Sequence, residues 1–178
     1  CGDAYIIEGQ SNALATDTRE ESPRDYDYWI RSYGHANRVK KGKLYNLWCN
    51  PVWKFGKPRG EYVKKHKAVL GWWGMELAKR LLKSQKIPIC IINGAVGGTR
   101  VDQHQRNDAD PGDLSTIYGR LLWRVRNAKL THGIRAVIWH QGESDQGAQG
   151  PTDGYGWETY QQYFLDMSAA WKEDYPNI

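Results

Sequence analysis

Ser11 stands in GQSNA (9–13), one residue past a Gly-Gln pair and four residues beyond the end of the apolar run AYII (4–7). A hydroxyl placed there clears the strand and lies among backbone N–H groups that the next segment leaves unpaired. Acyl transfer through serine asks for such a nucleophile, for donors waiting where an oxyanion forms, and for a base to take the hydroxyl proton. The N–H of Ser11 itself can face the oxyanion. The turn resembles a nucleophile elbow, with Ala13 where G-x-S-x-G would carry its last glycine. On position alone, a serine capping a helix is the stronger reading.

Two further stretches offer donors. In NGAVGGT (93–99) the Gly97-Gly98 pair lets backbone amides come close to a substrate oxygen, or simply makes a tight strand-to-helix turn. In WHQGESD (139–145) the Gln141 carboxamide is a neutral donor, and losing one such donor typically costs about 3 kcal/mol of barrier. Glu143 can orient a histidine or cap a following helix, and the cap is favoured. Asn12, Arg100 and His140 flank the same stretches as candidate substrate contacts. Arg100 suits a sugar carboxylate, or is an ordinary surface arginine. His104 and His140 are weak candidates for the base. His35, His66 and His132 read as surface residues.

These stretches need elements that bring them together. AYIIEG (4–9), KLYNLW (43–48), IPICIIN (87–93) and IRAVIWH (134–140) read as strands. GMELAKRLLKS (74–84), residues 113–130 with Asp113 as N-cap, and residues 157–175 read as helices. Residues 14–43 and 50–70 read as polar, turn-rich loop. Apolar strands alternating with amphipathic helices predict a mainly parallel sheet covered on both faces. Ligands in such sheets bind at the carboxyl ends of the strands, where all three chemical stretches fall. No internal repeat or second domain is evident, and residues 1–178 read as a single α/β domain.

Composition narrows the partners. Hydrophobic residues are 40% and charged residues 25%, a globular balance, and no run approaches the ~20 apolar residues of a membrane helix. Cys1, Cys49 and Cys90 lack a C-x-x-C spacing, so no metal site is expected, and Cys90 reads as a buried thiol. The net charge of +5 gathers in 38–43 and 54–67. That basic stretch is a solvated loop or a surface for an acidic polymer; without a nucleic-acid motif, nucleic acid is not expected. Nine Trp and eleven Tyr are unusual for this length; an excess beyond core needs is what a sugar-stacking surface would show, and composition alone does not separate that from core packing. Trp48, Trp53, Trp72, Trp73 and Trp157 are candidates, with core packing at least as good a reading for each.

Together, GQSNA, NGAVGGT and WHQGESD resemble the SGNH hydrolase superfamily, in its carbohydrate-esterase branch of sialate O-acetylesterase-like and acetylxylan-esterase-like enzymes. They occur in the family's order and span nearly the whole chain. The resemblance implies a flavodoxin-like three-layer sandwich, Ser11 as nucleophile, and an oxyanion hole from the Ser11 N–H, Gly97 or Gly98, and Gln141. It implies removal of O-acetyl groups from carbohydrate, no cofactor, no membrane partner, and a secreted or periplasmic setting that the sequence itself does not indicate.

One departure matters. The family's base is a histidine in a D-x-x-H-like motif after one more strand, and this sequence has neither. The chain is therefore expected to be an amino-terminal portion of the domain, with a companion segment or domain carrying the Asp/His. The alternatives are a non-catalytic, carbohydrate-binding pseudo-esterase and a basic interaction module.

Overall fold

A computed structural model describes residues 2–14, 27–34, 48–49, 51, 70–146 and 157–178. Five strands form one sheet: β1 (Asp3–Gly9), β2 (Ile30–Tyr33), β3 (Trp48–Cys49), β4 (Ile89–Asn93) and β5 (Ile134–His140), in the order β3-β2-β4-β1-β5. Only the β2–β3 pair is antiparallel. The helices are α1 (Ser11–Leu14), α2 (Trp72–Gln85), α3 (Ile117–Asn127) and α4 (Trp157–Asp174). This is the expected three-layer α/β sandwich with a mainly parallel sheet, and within it β4, not β1, lies beside β2.

Side-chain alternation along the strands builds two cores. Ala4 and Ile6 of β1, with Cys90 and Ile92 of β4, face α3 and α4. Tyr5 and Ile7, with Ile89 and Ile91, face α1 and α2. Ile6, Ile92 and Leu122 are fully buried, each contributing roughly 1.5–3 kcal/mol of transfer free energy. Along α4, Met167 and Trp171 are buried as the periodicity predicts, and Tyr160 and Phe164 pack partly against them.

Several boundaries differ from the sequence reading. α3 starts at Ile117 because Thr116 is its N-cap, its hydroxyl oxygen accepting the Gly119 N–H at 2.9 Å. Asp113 commits its carboxylate to the preceding turn, accepting the Ser115 N–H at 2.8 Å, and so does not cap the helix. β2 emerges within the stretch read as loop. Of the strand expected at 43–48 only Trp48 is described, half exposed and edge-on to Tyr33 with ring centroids 5.3 Å apart. The basic runs 38–43 and 54–67, Trp53, His35 and His66 lie outside the described residues. Among the described residues no helix is long and apolar enough to cross a membrane.

Candidate active site

The strand order explains why three distant stretches meet. β4, β1 and β5 are consecutive neighbours, all parallel, so the turns leaving their carboxyl ends lie side by side. The ladder continues into those turns. Gly94 N–H donates to Ile7 O at 2.8 Å, Val96 N–H to Gly9 O at 2.9 Å, and Gln10 N–H to His140 O at 3.1 Å. Gly9, at φ +132°, has the His140 carbonyl oxygen 1.9 Å from where a Cβ would stand. Only glycine permits this approach.

Ser11 opens α1, partly buried. A Cβ built on Gly97 would lie 3.9 Å from Ser11 Cβ and 3.9 Å from Leu14 Cδ1. Gly98, at φ +74°, has nothing within 4 Å of its Cβ position. Both glycines are exposed, so the serine adjoins a turn without side chains that is open to solvent.

Gln141 joins the three turns. Its Nε2 donates to Thr99 O at 2.9 Å and Gln10 Oε1 at 3.1 Å, and also contacts Asp145 Oδ2. An amide nitrogen has two hydrogens for these three acceptors. Its Oε1 is buried with no hydrogen-bond partner. Gln10 Oε1 also accepts the Ser144 N–H at 3.1 Å and the Gly142 N–H at 3.4 Å. Buried Asp145 accepts the Val101 N–H at 3.1 Å. Gln10, Thr99 and Asp145 thus hold the site together, although the sequence reading gave them no role. All three stand inside the quoted motifs, and residue type without spatial neighbours did not single them out.

On the exposed side, Asn12 Nδ2 donates to Glu143 Oε1, and the Trp73 indole donates to Asn12 O at 3.0 Å. Glu143 is held below the usual carboxylate range chiefly by a backbone N–H bond; burial, the next effect in size, opposes it, and the Asn12 amide and nearby His140 add smaller lowering effects. His140 Nε2 lies 3.8 Å from Glu143 Oε1, and both side chains are substantially exposed. Glu143 lies in the turn 141–146, where its carboxylate accepts the Asn12 amide; the segment it was expected to cap, directly after that turn, lies outside the described residues. Arg100 makes a two-pronged pair with Asp102, both contacts at 2.9 Å.

His104, one candidate base, is fully buried. Its Nδ1 lies 3.2 Å from Glu8 Oε1 and its Nε2 2.7 Å from the Thr99 hydroxyl, with Trp139 edge-on at 5.1 Å. It cannot reach a substrate. His132 is exposed in the turn before β5, at the opposite end of the sheet. Among the described residues no group of His, Cys, Asp and Glu could hold a metal ion.

The sequence profile of the carbohydrate esterase, sialic acid-specific acetylesterase family matches residues 1–175, and the chain belongs to that family. This bears out the resemblance carried by the three motifs. Solved structures agree at the level of fold. A protein from Arabidopsis thaliana superposes with TM-score 0.61 at 18% identity, covering 99% of this chain and 70% of the other. A carbohydrate acetylesterase from Xanthomonas citri gives 0.55 at 20% identity, covering 99% of this chain and 39% of the other. NanS gives 0.59 at 18% identity, covering 97% and 61%. The chain therefore spans less than two thirds of the length of two of these three. Among individually curated proteins none matches the chain.

Proposed function

We propose that the protein is a serine esterase that removes O-acetyl groups from carbohydrate, with sialic acid, xylan and other plant or microbial polysaccharides as the substrate class. Ser11 Oγ attacks the acetyl carbonyl as a base takes its proton. The sugar oxygen leaves with that proton, and water then releases acetate from the acyl-serine. The observation that carries this reading is the nearness of Ser11 to Gly97, whose Cβ position lies 3.9 Å from Ser11 Cβ. It supports pairing the Ser11 hydroxyl with the exposed glycine amides as donors to the carbonyl oxygen that gathers charge.

In this reading the oxyanion is met by the N–H groups of Ser11 and of Gly97 or Gly98, and by Gln141. Thr99 O keeps one hydrogen of the carboxamide, and the other turns from Asp145 and Gln10 to the substrate oxygen. Glu143 steadies Asn12 beside the nucleophile. Arg100 is tied to Asp102, and a sugar carboxylate would have to share its guanidinium. The base is a histidine, with its partner acid, from a companion segment or domain.

The test uses the full native gene product with 4-nitrophenyl acetate and an O-acetylated sugar. Acetate release that vanishes in Ser11→Ala supports the assignment, and release unchanged in that variant refutes it. The pseudo-esterase reading is favoured by one observation: among the described residues, His104 is sealed in the core and His140 has only an exposed carboxylate beside it. It predicts sugar binding without turnover.

A further inference from the structure

Beneath the Gly97–Gly98 turn lies a buried row of polar groups that the proposed chemistry does not use. Glu8 on β1 and His104 in the short 3-10 turn Val101–His104 are both fully buried, and Thr99 is nearly so. They connect in series. Glu8 Oε1 meets His104 Nδ1 at 3.2 Å, and His104 Nε2 meets Thr99 Oγ1 at 2.7 Å. Thr99 Oγ1 donates to Val96 O at 2.7 Å. The series ends on the carbonyl that opens the Val96–Thr99 turn.

Hydrogen counting orders the row. Threonine has one hydroxyl hydrogen, and the Val96 carbonyl takes it. Toward the imidazole the hydroxyl can then only accept, so His104 Nε2 must carry a hydrogen. One more proton lies between Nδ1 and Glu8 Oε1, since two lone pairs facing each other in the core would repel. The set is thus complete up to Val96. Its other end is Glu8 Oε2, buried with no hydrogen-bond partner.

The same threonine acts twice on the site. Its hydroxyl closes the turn that displays the Gly97 and Gly98 amides, and its carbonyl accepts the Gln141 amide at 2.9 Å. Glu8 lies three residues before Ser11 on the same chain. We propose that Glu8, His104 and Thr99 form a buried strut, with His104 donating from Nε2, that sets the oxyanion donors relative to Ser11. These are positioning residues, since none touches substrate. The consequence for turnover rests on the esterase reading; the hydrogen-bond order does not.

Two measurements test the strut in the full native gene product. In the first, nitrogen NMR of histidine-labelled protein should show His104 Nε2 bearing a hydrogen, and Thr99→Val should move the Gly97 and Gly98 amide resonances while Thr99→Ser leaves them near their native positions. A bare Nε2, or glycine resonances indifferent to Thr99→Val, overturns the proposal. In the second, Thr99→Val should lower kcat about tenfold or more with KM within about twofold, because displaced donors weaken the transition state more than binding. Thr99→Ser should recover kcat to within about threefold. Unchanged kcat in Thr99→Val, or a Thr99→Ser as impaired as Thr99→Val, overturns it. If Thr99→Val does not fold, Thr99→Ser and the Nε2 state decide the matter. If no variant, nor the native protein, hydrolyses an ester through Ser11, the esterase reading fails and the NMR result alone judges the strut.

Discussion

The carbonyl oxygen of His140 occupies the place where Gly9 would carry a side chain, 1.9 Å from the Cβ position. β1 and β5 are pressed together there, at the point where the chain turns toward Ser11. Gly9→Ala meets both this clash and a φ of +132° that side chains rarely adopt. It should destabilise the fold by about 2 kcal/mol or more, read from the urea midpoint. Gly97→Ala is the contrast. Its added methyl would find only ordinary 3.9 Å neighbours, so stability should stay within about 1 kcal/mol.

Glu143 should report on Asn12. Its depressed pKa makes its contribution to stability present above the ordinary carboxylate range and lost as pH falls through the folded value. Asn12→Ala removes one of the groups that favour the charged form, so the Glu143 titration should move upward, toward the ordinary value. Side-chain carbon NMR against pH measures this. Because Glu143 is substantially exposed, solvent screening should keep the stability change below about 0.5 kcal/mol.

Cys90 lies in the core beside Arg124, and burial pushes its thiol up to about 12 from an ordinary 9.0. At pH 8 the native protein should keep this residue unlabelled by Ellman's reagent, as peptide mapping would show, with labelling appearing in denaturant. Between pH 9 and 12 the unfolded thiol ionises and the folded one does not, so stability should decline as pH rises across that window.

Asp174 gathers three donors at the end of α4. Tyr118 Oη donates to it at 2.9 Å, Arg106 lies at 3.3 Å and Arg126 at 3.1 Å. Two of these residues are on α3 and one on the loop after the Val101–His104 turn. Asp174→Ala should cost about 2 kcal/mol, since it orphans a buried phenol and loosens two arginines at once. Thermal melting checks this, and Asp174→Asn should recover part of the loss.

Strands whose apolar runs are uninterrupted were legible in the sequence, and β5 matches its expected bounds of 134–140. β2 was not, because IRSY is four residues long with two polar members, and its burial comes from β4 and α2. The N-cap was misplaced by three residues because Asp113 and Thr116 are both good caps, and only the turn before α3 decides between them. At the site, Ser11 beside Gly97 follows from motif spelling once strand order is known. The burial of His104 does not. Its acid partner Glu8 is 96 residues away and reads as the polar end of an apolar strand.

Arg124 reaches from α3 into the core, where burial lowers its pKa to about 10, and donates to Tyr33 O at 3.1 Å and Asn93 O at 2.8 Å. β2 is short and shares only two register pairs with β4, Ile30 with Ile89 and Arg31 with Cys90. The guanidinium therefore rivets the far ends of two strands that their own ladder leaves unsewn. The outer half of the sheet owes its alignment to a helix, and a lysine there, with one compact ammonium in place of a planar fork, would let that seam open.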